Sequence, residues 1–219
     1  MAIRIKQRFR DRAEAGRLLG ERLRRFAGRP DVVVLALPRG GVPVGAEVAR
    51  SLQAPLDVFV VRKLGVPGHE ELALGAIAPG GVRVLNRELI DALDLSPEWL
   101  EAIDARERRE LERRERSYRG TLPPPRLGGR TVIIVDDGLA TGSTMTAAIE
   151  AIRSSEPAAV IVAVPVADPD VCEALGAAAD EVVCLLAPHP LGAVGFYYAD
   201  FSQTTDAEVR ELLASAHRP

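Results

Sequence analysis

The sequence predicts an α/β fold with an open, mainly parallel, twisted β-sheet and helices on both faces. Five short apolar segments recur along the chain, at residues 32–37, 56–61, 131–135, 160–164 and 181–186. They are continuous rather than alternating, which is typical of strands buried on both faces. Polar loops and segments with helical spacing of apolar residues follow the strands, and this cycle is typical of a parallel sheet.

Length and composition limit the function classes. The 219 residues, 47% of them hydrophobic, suit one globular domain over residues 1–219. Basic and acidic residues number 28 and 31 and are interspersed, so we expect no nucleic-acid partner. Cys172 and Cys184 show no metal-ligand or disulfide spacing. No apolar leader or run of 18 apolar residues is present, so we expect a cytoplasmic protein that spans no membrane.

The N-terminal part predicts two helices around the first strand. Residues 11–27 have an amphipathic pattern, with Asp11 as a candidate cap and Gly28 as a stop. After the first strand, "VPVGAEVARSL" predicts a helix with Pro43 near its first turn.

A hairpin is predicted between the second and third parallel strands. The segment "ELALGAIAPGGVRVL", residues 71–85, has two apolar parts around a Pro-Gly-Gly turn at residues 79–81. We expect its approach, residues 65–70, to be mobile.

A charged segment at residues 97–118 predicts a solvated helix rather than a nucleic-acid-binding arm. Its acidic residues precede basic ones by four positions, a spacing that stabilises helices. Two such pairs are Glu110 with Arg114 and Glu112 with Arg116. A thin apolar stripe comprises Leu100, Ile103, Leu111 and Tyr118. We interpret approximately residues 86–120 as a helical insertion.

The C-terminal part carries a capping box and a group of aromatic residues. Thr205 and Glu208 have the spacing of a capping box before a final helix. Four aromatic residues precede it: Phe196, Tyr197, Tyr198 and Phe201. Their rings either stack on a flat ligand or fasten the C-terminal segment to the core.

The stretch "VIIVDDGLATGSTM", residues 132–145, is the strongest candidate site. Asp136 and Asp137 end a predicted strand, where ligands bind in open α/β sheets. The backbone N–H groups and hydroxyls that follow are suited to a phosphate at a helix N-terminus. They belong to Ala140, Thr141, Gly142, Ser143 and Thr144. The alternative is a strand end followed by helix-capping residues. Neither a GxxxxGK[ST] loop nor a GxGxxG loop is present.

Two further loops carry groups suited to anions. In "LPRGGVP", Arg39 offers a planar set of donors, and Gly40 and Gly41 expose backbone N–H groups for a second phosphate. The alternative is a simple turn. Arg62 and Lys63 are predicted to end the second strand, either as a cationic hinge for a closing loop or as solvated charges.

These three motifs together resemble type I phosphoribosyltransferases. Four apolar residues, two acids, spacers, TG and a small hydroxyl residue match that family's phosphoribosyl-pyrophosphate signature. "PRGG" resembles its pyrophosphate loop, and "RK" resembles the residues before its flexible loop. The resemblance covers roughly residues 30–165. The layout is most similar to stand-alone bacterial phosphoribosyltransferase-like proteins with "LPRGGVPV" and "VRKLG".

The resemblance implies a role for each motif. Asp136 and Asp137 would hold the ribose hydroxyls, directly or through Mg²⁺, and residues 140–144 would bind the 5-phosphate. Arg39, Gly40 and Gly41 would contact the pyrophosphate, which Arg62 and Lys63 would reach when the loop closes. Residues 187–219 would form a small hood and helix over the acceptor.

The implied reaction is a magnesium-dependent displacement of pyrophosphate from phosphoribosyl pyrophosphate by a nucleobase or similar nitrogen heterocycle. It needs no covalent protein nucleophile, and Asp136, Asp137, Arg62 and Lys63 are the candidate catalytic residues. The alternatives are a non-catalytic sensor of phosphoribosyl pyrophosphate or a nucleotide, and a hydrolase or pyrophosphokinase on the same fold. The implied partners are this donor and a small acceptor, and the implied assembly is a homodimer.

Overall fold

A computed structural model describes residues 8–66, 69–120 and 123–216. The strands are β1 (Val32–Ala36), β2 (Leu56–Val58), β3 (Arg62–Val66), β4 (His69–Ile77), β5 (Arg83–Leu85), β6 (Thr131–Val135), β7 (Ala159–Val166) and β8 (Glu181–Leu186). The helices are α1 (Arg12–Arg22), α2 (Gly41–Leu52), α3 (Arg87–Ala92), α4 (Pro97–Arg119), α5 (Ser143–Arg153), α6 (Pro169–Gly176) and α7 (Asp206–Ala216).

Five strands form a parallel sheet in the order β2-β1-β6-β7-β8. Alternate residues of its central strands enter different apolar clusters, because successive side chains point to opposite faces. Ile133 packs in the cluster with residues of α1, α2, α4 and α7, whereas Ile134 packs with residues of α5 and α6. Helices therefore cover both faces, and the predicted fold class is confirmed.

Helix α1 packs closely against α2. Asp11 caps α1 by accepting a hydrogen bond from the Glu14 N–H at 2.7 Å, as predicted. The helix ends at Arg22, before the predicted residue 27, and Arg24–Phe26 form a short 3-10 turn. An ideal Cβ built on Gly16 would lie 2.5 Å from the Val44 carbonyl oxygen, so this contact requires glycine.

The predicted end of the second strand, at residue 61, is wrong. Strand β2 stops at Val58, and Arg62 and Lys63 begin β3 instead of ending β2. Arg119 of α4 donates to the Val58 carbonyl at 2.6 Å and to Asp57 at 2.8 Å, so a side chain satisfies acceptors at this sheet edge.

Strands β3, β4 and β5 form a separate antiparallel sheet, which we call the flap. The predicted hairpin is confirmed, and its Pro79–Gly81 turn places Gly80 at φ 76°. Residues 65–66 and 69–70 of the expected mobile approach lie in β3 and β4, whereas residues 67–68 are outside the described ones.

Helices α3 and α4 occupy most of the predicted insertion, and α4 packs on α7. The stripe residues Ile103, Leu111 and Tyr118 are buried. Tyr118 donates to Asp206 at 2.9 Å. Both predicted ion pairs are present, with N–O distances of 2.8 Å for Glu110–Arg114 and 4.0 Å for Glu112–Arg116.

The capping box at the start of α7 is confirmed. The Thr205 N–H donates to Glu208 at 2.7 Å, and the Glu208 N–H donates to the Thr205 hydroxyl at 3.2 Å. Cys172 and Cys184 are free thiols, and burial raises the pKa of Cys184 to about 12. No described helix combines the length and apolar character needed to cross a membrane.

Candidate functional site

The acid pair and the "PRGG" loop meet at the carboxyl edge of β6 and β1. The Leu37 N–H donates to the Val135 carbonyl at 2.9 Å, which places the two loops side by side. An ideal Cβ on Gly40 would lie 2.0 Å from Asp137 Oδ2, and one on Gly41 would lie 2.7 Å from the Val135 oxygen. A side chain at Gly41 would clash with backbone, and one at Gly40 would displace the Asp137 carboxylate, so two of the predicted motifs are in close contact.

The two carboxylates lie in a partly buried environment. Asp136 Oδ1 accepts a hydrogen bond from the Asp137 N–H at 2.8 Å. Burial, and secondly the charge of Asp137, raise the pKa of Asp136 well above its ordinary value. Burial also raises the pKa of Asp137, although Arg12 opposes that shift. A ligand that supplies positive charge or hydrogen-bond donors would stabilise the charged pair.

Arg12 of α1 is a site residue that sequence reasoning missed. Its Nε and Nη2 lie 2.8 and 2.7 Å from Asp137 Oδ2. Its Nη1 donates to the Ser202 carbonyl at 2.7 Å. The guanidinium carbon also lies 3.9 Å from the centroid of the Phe201 ring. One arginine among many at the start of an amphipathic helix gives no sequence signal for this contact.

The aromatic residues differ in their surroundings. Tyr198 is buried and its hydroxyl donates to the Asp137 carbonyl at 2.6 Å. Its ring centroid is 5.5 Å from that of Phe9 and 5.0 Å from that of Phe201. Tyr198 thus fastens the C-terminal segment to the core, whereas Phe196 is 63% exposed.

The predicted phosphate cradle lies between β6 and α5. Gly142 has φ 71° immediately before α5, a conformation that favours glycine. The Thr141 and Ser143 hydroxyls are 2.9 Å apart. Within the described part of the chain, the backbone N–H groups of residues 140–145 donate no hydrogen bond. Unsatisfied N–H groups at a helix N-terminus form a ready anion site.

A cavity of about 520 Å³ lies between the cradle and the flap. Its polar lining includes Lys63 and Asn86 from the flap side and Thr141, Ser143 and Thr144 from the cradle. The structure therefore places Lys63 and the cradle hydroxyls around the same cavity, where a cation would be close to a bound phosphate.

Arg62 and Arg39 form ion pairs with carboxylates of α4 and α7. Arg62 donates to Glu107 Oε2 of α4 from both Nε and Nη2, at 2.9 and 2.6 Å. Glu107 is buried and the Arg62 side chain is 27% exposed, so this ion pair holds the guanidinium against α4. Arg39 lies 3.7 Å from Asp206 and remains partly exposed. Arg39 adjoins Gly40, which lies against Asp137, so its backbone is close to the acid pair. The Arg62 side chain instead contacts α4.

A second polar group lies at the ends of β7 and β8. Possible ligand atoms of Asp168, Asp170 and His189 lie within 4.8 Å of one another. Asp168 caps α6 by accepting from the Asp170 N–H at 3.1 Å, which gives this carboxylate a structural role.

A parallel α/β sheet with an acid pair and a glycine-containing helix start at its carboxyl edge has the architecture in which phosphate esters are commonly bound. The chain belongs to the phosphoribosyl transferase domain family, whose profile matches residues 7–200. This membership confirms the resemblance predicted from the three motifs and assigns the chain to a family of transferases.

Similar proteins support the same membership. Two Mycobacterium tuberculosis proteins, from strains CDC 1551 and H37Rv, carry provisional phosphoribosyl transferase names and are each 49% identical over 210 residues. The match covers 96% of this chain and 47% of each relative, so the chain spans about half of their length. The crystal structure of TT1426 from Thermus thermophilus is 47% identical, with a TM-score of 0.85 over 95% of this chain and 98% of that one.

Proposed function

We propose that the protein is a magnesium-dependent phosphoribosyltransferase that joins phosphoribosyl pyrophosphate to a nucleobase or similar nitrogen heterocycle and releases pyrophosphate. The observation that carries this proposal is the arrangement at one sheet edge. An acid pair lies against the glycines of one loop and is followed in sequence by a cradle of unsatisfied N–H groups. A donor with sugar hydroxyls between two phosphate-bearing ends matches that order.

Each part of the donor has a candidate partner. Asp136 and Asp137 would accept hydrogen bonds from the ribose hydroxyls, and residues 140–144 would bind the 5-phosphate. Arg39 and the N–H groups of Gly40 and Gly41 would contact the pyrophosphate. Lys63 would add positive charge from the flap. Arg62 would take part only after exchanging its bond with Glu107, so we assign it first to anchoring β3.

The acid pair fits a magnesium ion by its donor chemistry. Mg²⁺ is commonly bound by one or two carboxylates together with substrate phosphates. The described hydrogen bonds engage Asp136 Oδ1 and Asp137 Oδ2, and the other oxygen of each carboxylate would hold the ion. Bound there, Mg²⁺ would neutralise charge on the leaving pyrophosphate.

The protein's own groups would promote the reaction by position and charge. The cradle and the "PRGG" loop would hold the two ends of the donor, and this fixes the ribose relative to the acceptor. Carboxylates at Asp136 and Asp137 would stabilise positive charge that develops on the sugar. The flap, which already closes one side of the cavity, would exclude water that competes with the acceptor.

The acceptor would lie on the side of β7 and β8, under the C-terminal segment. Residues 154–209 contain no lysine or arginine, and Arg12 reaches this side from α1, where it bonds the Ser202 carbonyl and stacks on Phe201. The experiment should therefore include heterocycles that carry amino groups as well as those that carry oxo or carboxylate groups.

From the family resemblance we further propose a cytoplasmic homodimer, and sedimentation velocity would test its mass.

Pyrophosphate release would test the proposed activity. The purified protein is mixed with phosphoribosyl pyrophosphate, Mg²⁺ and each base of a broad panel, and donor binding is measured separately by calorimetry. We expect base-dependent release that disappears with excess chelator. Donor binding without base-dependent release across the panel would instead support a sensor.

A further inference from the structure

We infer that Arg12 is a positioning residue that fixes Asp137 in the orientation needed for donor binding. This inference rests on the proposed function, because it concerns the donor site. Arg12 lies on α1, far in sequence from all three predicted motifs, and none of those motifs includes it.

The contacts of Arg12 define a single geometry. Two of its nitrogens converge on Asp137 Oδ2 at 2.8 and 2.7 Å, and a third donates to the Ser202 carbonyl. The guanidinium also stacks on Phe201 and lies 5.9 Å from the centroid of the Tyr198 ring. Arginine suits such a site because its donors are fixed in one plane and that plane stacks on aromatic rings.

The position of the bound oxygen gives this contact a role in the site. Asp137 Oδ2 is the oxygen that a Cβ on Gly40 would contact at 2.0 Å, so it faces both Arg12 and the "PRGG" loop. Arg12 therefore holds Oδ2 closest to that loop, whereas Oδ1 would lie 3.2 Å from the same Cβ position and accepts none of the described hydrogen bonds from Arg12. A freely rotating Asp137 would lose this distinction between its two oxygens.

Arg12 also connects the acid to the C-terminal segment. The Phe9 N–H donates to the Tyr197 carbonyl at 2.8 Å, and the Ala199 N–H donates to the Phe9 carbonyl at 2.8 Å. Tyr198 additionally bonds the Asp137 backbone. The segment proposed to cover the acceptor and the acid proposed to hold the donor are therefore fastened to the same N-terminal segment.

Three variants test this role. Arg12→Met keeps most of the apolar stem and removes the donors, Arg12→Lys keeps the charge without the planar contact, and Arg22→Met changes an exposed arginine of the same helix. Calorimetry measures the affinity for phosphoribosyl pyrophosphate with saturating Mg²⁺, and circular dichroism confirms that each variant is folded at the temperature used.

We expect Arg12→Met to weaken donor binding by about tenfold or more, because small displacements of positioning groups have effects of this size. Arg12→Lys should recover part of the affinity, and Arg22→Met should match the wild type. Wild-type binding that persists unchanged in folded Arg12→Met would overturn this inference alone. A wild-type protein that binds no donor would overturn the proposed function and this inference with it.

Discussion

The carboxyl edge of the parallel sheet and the flap both hold predicted site residues, but they hold them differently. At the edge, Asp136 and Asp137 directly follow a fully buried strand and lie against backbone atoms of the neighbouring loop. In the flap, Arg62 bonds to Glu107 of α4, whereas Lys63 lines the cavity beside the cradle.

This difference separates two ways of placing a functional side chain. The end of a buried parallel strand fixes the following residues within the local sequence, because the strand's register and direction are already set. The position of Arg62, on an antiparallel strand, depends instead on Glu107, a carboxylate that tertiary packing brings close to it. Neighbouring residues such as Arg62 and Lys63 can then have unrelated surroundings.

The largest expected effect is that of Asp136→Asn at the sheet edge. Removing this charge should reduce turnover by about a hundredfold or more, because the carboxylate would stabilise charge in the transition state. Activity assays of the variant, with exposed Asp91→Asn as control, measure this loss.

The same variant, Asp136→Asn, should lose activity without losing thermal stability. Since the pKa of Asp136 is raised, its charged form opposes folding at neutral pH, and this cost declines as pH falls from the folded-state pKa towards the ordinary one. Thermal unfolding should therefore show Tm of Asp136→Asn at or above wild type at neutral pH, with any advantage shrinking on acidification. A large fall in Tm would identify Asp136 as a structural carboxylate.

A smaller effect on the same edge is expected for Gly40→Ala. The added methyl would lie 2.0 Å from Asp137 Oδ2, and Arg12 restrains this carboxylate from moving aside. We expect donor affinity to fall by about tenfold. Gly176→Ala is the matched control, since no atom lies within 4 Å of its added Cβ. Equal donor affinity in both variants would contradict the described contact between the two loops.

The flap variants Arg62→Met and Lys63→Met test the other side of the comparison. Arg62→Met should lower the free energy of unfolding by about 2 kcal/mol, because it leaves buried Glu107 with less compensation, although Arg106 still contacts it. Lys63→Met should weaken donor binding more than Arg62→Met does. Urea unfolding and calorimetry measure the two quantities. A greater loss of donor affinity in Arg62→Met would return Arg62 to the pyrophosphate site.

The smallest effect is expected away from both regions, on α4. Arg113 and Arg114 lower the pKa of Glu110 to about 2, so its charge stabilises the folded state above the ordinary pKa range. Glu110→Gln should cost up to about 0.5 kcal/mol near neutral pH. That difference should vanish as pH falls towards about 2, and Glu112→Gln, whose pair with Arg116 is exposed, should show less. Urea unfolding across pH would detect either pattern.

The sequence predicted those parts of the site that depend on local pattern. Strands β6 and β8 have the predicted bounds, because their apolar runs are flanked by polar residues, and glycine loops follow β1 and β6 as expected. The cradle residues were predicted because their types suit an anion at a helix start, and the structure places them at the start of α5.

The sequence did not predict contacts between distant segments. Arg12 and Asp137 are 125 positions apart, and Arg62 and Glu107 are 45 positions apart. No periodicity records such pairs, since each depends on how α1 and α4 pack. Strand β3 was missed because it begins with Arg62 and Lys63, which directly follow the apolar run at residues 56–61 and were therefore interpreted as the end of that strand.

The central place of β6 in the sheet has a consequence for hydrogen exchange. Strand β6 is bonded to β1 on one side and to β7 on the other, and Val132, Ile133, Ile134 and Val135 are completely buried. Amides in such a strand exchange only through the largest openings of a protein, whereas those of peripheral sheets exchange through smaller ones. The acid pair is thus attached to the part of the molecule that opens last, and its geometry should survive fluctuations that open the flap.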